Sequence, residues 1–142
     1  MKLICIAPHL SVLSLPLMES RLSAGFPFPV ADGIEKTLDL NAHLITRPAA
    51  SFFVRICGDS MTGAGIFDGD IAIVDRSLTP KAGDIVVAVL DGELTIKRLT
   101  YRSGHVVLKA ENPDYPDISI PEEQDLVIWG VVTSTIHEFH SR

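Results

Sequence analysis

The chain is short of several things, and each shortage removes a class of protein. It holds two cysteines, Cys5 and Cys57, among 142 residues. That is too few for a disulfide framework or a thiolate metal cluster, and it suits a reducing compartment in which both thiols are inert. The five histidines are scattered. His137 and His140 lie close together near the C-terminus without a cysteine or third ligand beside them, so no metal site is expected. Positive charge is in deficit, with 12 Lys and Arg against 18 Asp and Glu and a net charge of −6. An acidic chain has no counterion-release term to drive binding to nucleic acid, so direct DNA binding is disfavoured and protein partners are favoured. No uninterrupted apolar run reaches the roughly 18 residues of a membrane helix. There is no glycine-rich phosphate loop, no G-x-S-x-G nucleophile elbow, no internal repeat and no low-complexity tract, and no cofactor is expected.

The N-terminus superficially resembles a secretory signal, because Lys2 is followed by LICIAPHLSVLSLPLM. Pro8 and His9 split that run, Glu19 and Arg21 put charges where cleavage would fall, and Leu22 is large where a small residue is required. The expectation is an arm retained in the cytoplasm, with no membrane attachment.

What is present suits one compact domain with a real core. Residues 1 to about 30 follow neither a strand nor a helix period, and Pro8, Pro16, Pro27 and Pro29 exclude a long helix. In GFPFP the prolines remove backbone donors and bias their predecessors toward extended geometry, which is what a protease cleft accepts. We therefore divide the chain into an extended arm, residues 1–40, and a β-rich domain, residues 41–142. Residues 34–45 could hold one or two helical turns, with Asp39 or Asn41 as cap. From Ser51 onward SFFVRIC, IAIVD, DIVVAVL, ELTIKRLT, HVVLKA and VIWGVVTSTI are separated by FDGD, TPKAGD, LDGE, RSG and ENPDYP. Short β-branched runs between turn residues mark a mainly β fold. VVAVLDGELTI reads as a hairpin closed by a type I′ turn at Asp91–Gly92.

Two stretches could carry chemistry. Ser60 sits in the turn CGDSM after a strand, where a hydroxyl can be exposed and backbone N–H groups can converge as an oxyanion hole. Lys97 lies inside ELTIKRL. Alternation puts Leu94 and Ile96 on one face and Glu93, Thr95 and Lys97 on the other, so periodicity alone leaves Lys97 in solvent. To serve as a base it must be neutral near physiological pH, a shift of roughly 3 units or about 4 kcal/mol, which requires something to cover that face. The apolar arm segment VLSLPLMESRLSAGF is suited to do so.

Taken together these motifs resemble the UmuD/MucA-type proteins of the LexA-like self-cleaving serine peptidases. The resemblance runs from SAGFPFPVADGIEKTLDLN through RPAASFFVRICGDSM and FDGDIAIVDRSLTPKAGDIVVAVLDGELTIKRL to IWGVVT, with a step of 37 residues from Ser60 to Lys97. It implies a small, strongly curved β-domain with an extended N-terminal arm. It also implies Ser60 as nucleophile, Lys97 as general base, the Ala24–Gly25 bond as the site of self-cleavage, and the backbone N–H groups of Ser60 and Asp59 as oxyanion donors. The Asp59 side chain is assigned to the turn. Further implications are a homodimer, stimulation of cleavage by a RecA filament on single-stranded DNA, and service of the shortened form as accessory subunit of a UmuC-like Y-family translesion polymerase in the SOS response. The first twenty residues match no fixed pattern of the family, and alanine rather than cysteine before the scissile bond is a variation within it.

Three other readings are weighed. A fragment of a LexA-type or phage-type repressor would need a helix-turn-helix, for which the proline-rich arm is too short. A peptidase of the signal-peptidase kind, acting on other proteins, would need a membrane anchor. A scaffold with a vestigial Ser60 and Lys97 would bind a polymerase without cutting itself.

Overall fold

A computed structural model of the chain describes residues 11–18, 22, 24–25, 33–121 and 126–140. These residues form nine strands in two antiparallel sheets. The smaller sheet is a ribbon of β1 (Ser14–Met18) and β2 (Ile34–Asp39), paired from Ser14 opposite Asp39 to Met18 opposite Ile34. Pro16 is tolerated in β1 because both strands of a two-stranded ribbon are edges. The larger sheet contains β3 (Ser51–Arg55), β4 (Ile71–Asp75), β5 (Ile85–Leu90), β6 (Glu93–Arg102), β7 (His105–Lys109), β8 (Ile118–Ile120) and β9 (Leu126–Ile136). They are arranged in the order β3-β4-β9-β5-β6-β7-β8.

The mainly β expectation holds, and each run read as a strand from Ser51 onward is one. The hairpin between β5 and β6 turns at Asp91 and Gly92 with φ of 50° and 82°. Two consecutive positive φ angles are what a type I′ turn requires, and an Asp-Gly pair reaches them at least cost. The segment 34–45 is only partly as expected. Asp39 does cap a helix, accepting from the Asn41 N–H at 3.2 Å, but α1 (Leu40–Leu44) is a little over one turn and Ile34–Asp39 is strand. Pairing with β1, from Ser14 opposite Asp39 to Met18 opposite Ile34, decides the conformation here; beyond the strands, the Asn41 side chain donates to the Ser11 carbonyl at 2.9 Å. Local pattern does not carry such a long-range partner.

The larger sheet is covered on both faces. Val86 and Ala88 of β5 point into a cluster with Leu99, Leu108, Ile120 and Val131, while Val87 points the other way into a cluster with Ile56, Met61, Ile66, Ala72 and Val74. All three β5 residues are buried, which is why DIVVAVL reads as a continuous apolar run instead of an alternating one. The long strand β9 bridges β4 and β5 and breaks register against each, between Ile73 and Val74 and between Val87 and Ala88. Such bulges bend and twist a sheet locally.

Candidate active site

Ser60 and Lys97 come from distant places in the sheet. The spacing between neighbouring strands would put β3 and β6 about 19 Å apart if the sheet were flat. The curl of the sheet and the turn that follows β3 together bring the Lys97 Nζ to 3.0 Å from Ser60 Oγ. They share a pocket lined by Val54, Ile56, Cys57 and Leu94 among others, with a volume of about 190 Å³. On β6, residues from Arg98 onward pair with β7, whereas Lys97 and its predecessors pair only with β5. The pocket thus opens where β6 loses its second neighbour.

Lys97 is half-buried rather than exposed, which corrects the reading from strand alternation. Leu99, of the same parity, is fully buried, and Leu94, of the opposite parity, is 40% exposed. With a core on each face of the sheet, a period of two no longer separates core from solvent. Burial holds the Lys97 pKa below the ordinary lysine value, because a desolvated ammonium loses hydration that the neutral amine does not need.

The amine has three partners: Ser60 Oγ at 3.0 Å, the Ile96 carbonyl at 3.0 Å and Thr95 Oγ1 at 3.2 Å. An ammonium satisfies all three by donating three protons. A neutral amine keeps two N–H bonds for Ile96 and Thr95 and leaves its lone pair facing Ser60. The surroundings of Lys97 therefore orient the neutral form as a proton acceptor toward the hydroxyl.

The Ser60 turn is firmly held. Asp68 accepts from the Gly58 N–H at 2.7 Å, the Glu111 N–H donates to the Ser60 carbonyl at 2.9 Å, and Tyr115 donates to the Asp59 carboxylate. That carboxylate holds the Tyr115 phenol above its ordinary pKa by hydrogen bonding and charge, and the contact ties the Asp59 side chain to the segment after β7. Met61, 2% exposed, anchors the next residue in the core. Among the described residues no acceptor takes the backbone N–H of Ser60 or Asp59. Gly63 completes the arrangement: it donates to the Glu111 carbonyl at 2.7 Å, and a Cβ there would stand 2.6 Å from that oxygen.

Ser60 and Lys97 are thus brought together. Ala24 and Gly25 both lie exposed in a bend, outside the described lining of the pocket. Cys57 is an exposed free thiol on the pocket wall, and Cys5 lies outside the described residues. Sequence reasoning missed Thr95, Ile96 and the segment Glu111–Tyr115; ENPDYP carried only a turn signal. Among the described residues no group of three or more His, Cys, Asp and Glu is placed to hold a metal ion, and no helix is long and apolar enough to cross a membrane.

A serine hydroxyl against a half-buried lysine on a curled antiparallel sheet fits a peptidase, and the chain belongs to the Peptidase S24-like family, whose model matches residues 16–133. It is 51% identical over 126 residues to Protein SamA of Salmonella typhimurium strain LT2, covering 89% of this chain and 87% of that one. It is 44% identical over 129 residues to Protein MucA of Escherichia coli, covering 89% and 87%. The LexA repressor of Caldicellulosiruptor saccharolyticus is 41% identical over 128 residues, which cover 90% of this chain and 61% of that repressor. The resemblance to UmuD/MucA-type proteins is borne out.

Proposed function

We propose that the chain is a self-cleaving serine peptidase that cuts its own Ala24–Gly25 bond. The observation that carries this reading is the 3.0 Å contact between Ser60 Oγ and Lys97 Nζ, where burial lowers the lysine pKa and two further acceptors turn the neutral amine's lone pair toward the hydroxyl. Lys97 takes the Ser60 proton as Oγ attacks the carbonyl carbon of Ala24. The oxyanion that forms is held by the backbone N–H groups of Ser60 and Asp59. Lys97 then gives its proton to the departing Gly25 nitrogen, and water, with Lys97 again as base, releases Ala24 from the ester on Ser60. Gly25 has no Cβ, so the turn can approach the carbonyl closely.

Because Ala24 and Gly25 lie exposed outside the pocket, cleavage depends on docking of the arm. A docked arm excludes water and lowers the Lys97 pKa further, so the base is completed by its own substrate. A RecA filament on single-stranded DNA stimulates the reaction by favouring the docked state. The arm, residues 1–40, is the substrate and residues 41–142 form the peptidase domain. The product, residues 25–142, acts in the cytoplasm as a homodimer and joins a Y-family translesion polymerase in the SOS response. The similarity to Protein SamA and Protein MucA supports this part of the reading.

The test is incubation of the purified protein at alkaline pH, alone and then with RecA, ATP and single-stranded DNA, beside Ser60→Ala and Lys97→Ala. Two fragments from the wild type only are expected. Intact protein in every case refutes the peptidase and leaves a polymerase-binding scaffold.

A further inference from the structure

The Ser60 turn is gripped from behind by the chain leaving β7, and one side chain there holds a particular peptide group. Asn112 Nδ2 donates to the Asp59 carbonyl at 2.8 Å. Among the described residues the other donors to that oxygen are both in Thr62 and both longer, its N–H at 3.4 Å and its Oγ1 at 3.3 Å. Asn112 is itself fixed, since its Oδ1 accepts from the Asp114 N–H at 2.9 Å and its carbonyl from the Tyr115 N–H at 3.1 Å. Its amide therefore presents nitrogen, not oxygen, to Asp59.

The peptide joining Asp59 to Ser60 is planar and trans, as are all those described. In such a unit the carbonyl of one residue and the N–H of the next point in opposite directions, and neither turns without the other. Whatever fixes the Asp59 carbonyl fixes the direction of the Ser60 N–H. We infer that Asn112 is a positioning residue that aims the Ser60 N–H at the oxyanion. This rests on the cleavage mechanism proposed above and adds a residue to it. Asn112 touches no reacting atom. Its effect is confined to stabilisation of the oxyanion, and it leaves proton transfer to Lys97 unchanged.

The substitution Asn112→Asp isolates the role. Aspartate keeps the size of the side chain and an acceptor for the Asp114 N–H, but at alkaline pH it has no proton to give the Asp59 carbonyl. Self-cleavage is followed by intact mass against pH for the wild type, Asn112→Asp and Asn112→Ala, with melting temperatures alongside. We expect the plateau rate of Asn112→Asp to fall by up to roughly a hundredfold, below the roughly hundredfold to thousandfold cost of deleting an oxyanion donor, because the Ser60 N–H is misaimed and not removed. The carboxylate in Asn112→Asp favours the Lys97 ammonium, so its midpoint does not move to lower pH; in Asn112→Ala, which adds no charge, the midpoint stays where the wild type's lies, and both melting temperatures stay close to wild type. A plateau within twofold of wild type in Asn112→Asp, a shifted midpoint in Asn112→Ala, or unfolding of either variant overturns the inference, the last because Asn112 would then serve the fold. A wild type that does not cut overturns the mechanism itself, and the inference with it.

Discussion

Replacing Thr95 by valine tests the surroundings of the lysine without touching either reacting group. The substitution keeps the branched shape on β6 and deletes one oxygen, the acceptor 3.2 Å from Lys97 Nζ. Two consequences follow, and they differ in kind. In the neutral form the amine loses one of the two acceptors that turn its lone pair toward Ser60. A net hydrogen bond of about 0.5–1.5 kcal/mol corresponds to a plateau rate roughly twofold to tenfold lower. In the charged form the lost bond is stronger, because hydrogen bonds from an ionised donor are about twice as strong as neutral ones. The ammonium is penalised more than the amine, so the Lys97 pKa falls further and the midpoint of the rate profile moves to lower pH. Intact mass measured over time at a series of pH values reports plateau and midpoint together. A slower plateau with an earlier midpoint is expected. An unchanged plateau, or a midpoint that moves up, refutes the argument that Thr95 and Ile96 orient a neutral Lys97.

Lys97 also affects stability with a definite sign. Its folded pKa lies below the unfolded value of 10.5, so the unfolded chain binds more protons between the two and stability rises as pH climbs through that window. Lys97→Met should raise the melting temperature at neutral pH and flatten that rise, as calorimetry against pH will show. Asp70 gives a slope of the same sign in the acid range, but there it is the charged form that the fold stabilises. Burial pushes its pKa up, but the hydrogen bond from the Phe67 N–H at 2.8 Å and the contact with His137 outweigh burial and hold it below 3.8. Its contribution is present above pH 3.8 and lost as pH falls through the lower folded value, and Asp70→Asn should cost about 1.5–3 kcal/mol in urea titrations at neutral pH. Gly63→Ala forces a Cβ against the Glu111 carbonyl and should cost about 1–3 kcal/mol in the same titration while slowing cleavage. Leu99→Ala removes a fully buried side chain between β5 and β7 and should cost about 2–5 kcal/mol with the pH profile of cleavage unmoved.

How far the sequence carries depends on whether the signal is local. The Asp91–Gly92 turn and the β-branched runs around it are written in adjacent residues, and the hairpin forms as they dictate. Ser60 carries little weight alone, since a serine after a glycine is usually only part of a turn. Lys97 did not stand out by periodicity, since alternation assumes a sheet with one wet face, and here Val86 and Val87 bury opposite faces. Only the ordered motifs around it marked it. Ile34–Asp39 became a strand through pairing with Ser14–Met18, a partner no window around residue 34 contains. Asn112 was illegible for the same reason: its function lies in a bond to a carbonyl 53 residues earlier in the chain.

The measurement that bears most directly on the account is the mass and N-terminal sequence of the product formed when the purified wild-type chain is held at alkaline pH. The account predicts one cut, leaving a large fragment that begins Gly25-Phe26-Pro27 and ends at Arg142, and no fragment from Ser60→Ala or Lys97→Ala. A cut at another bond, or the same cut in either variant, would contradict it.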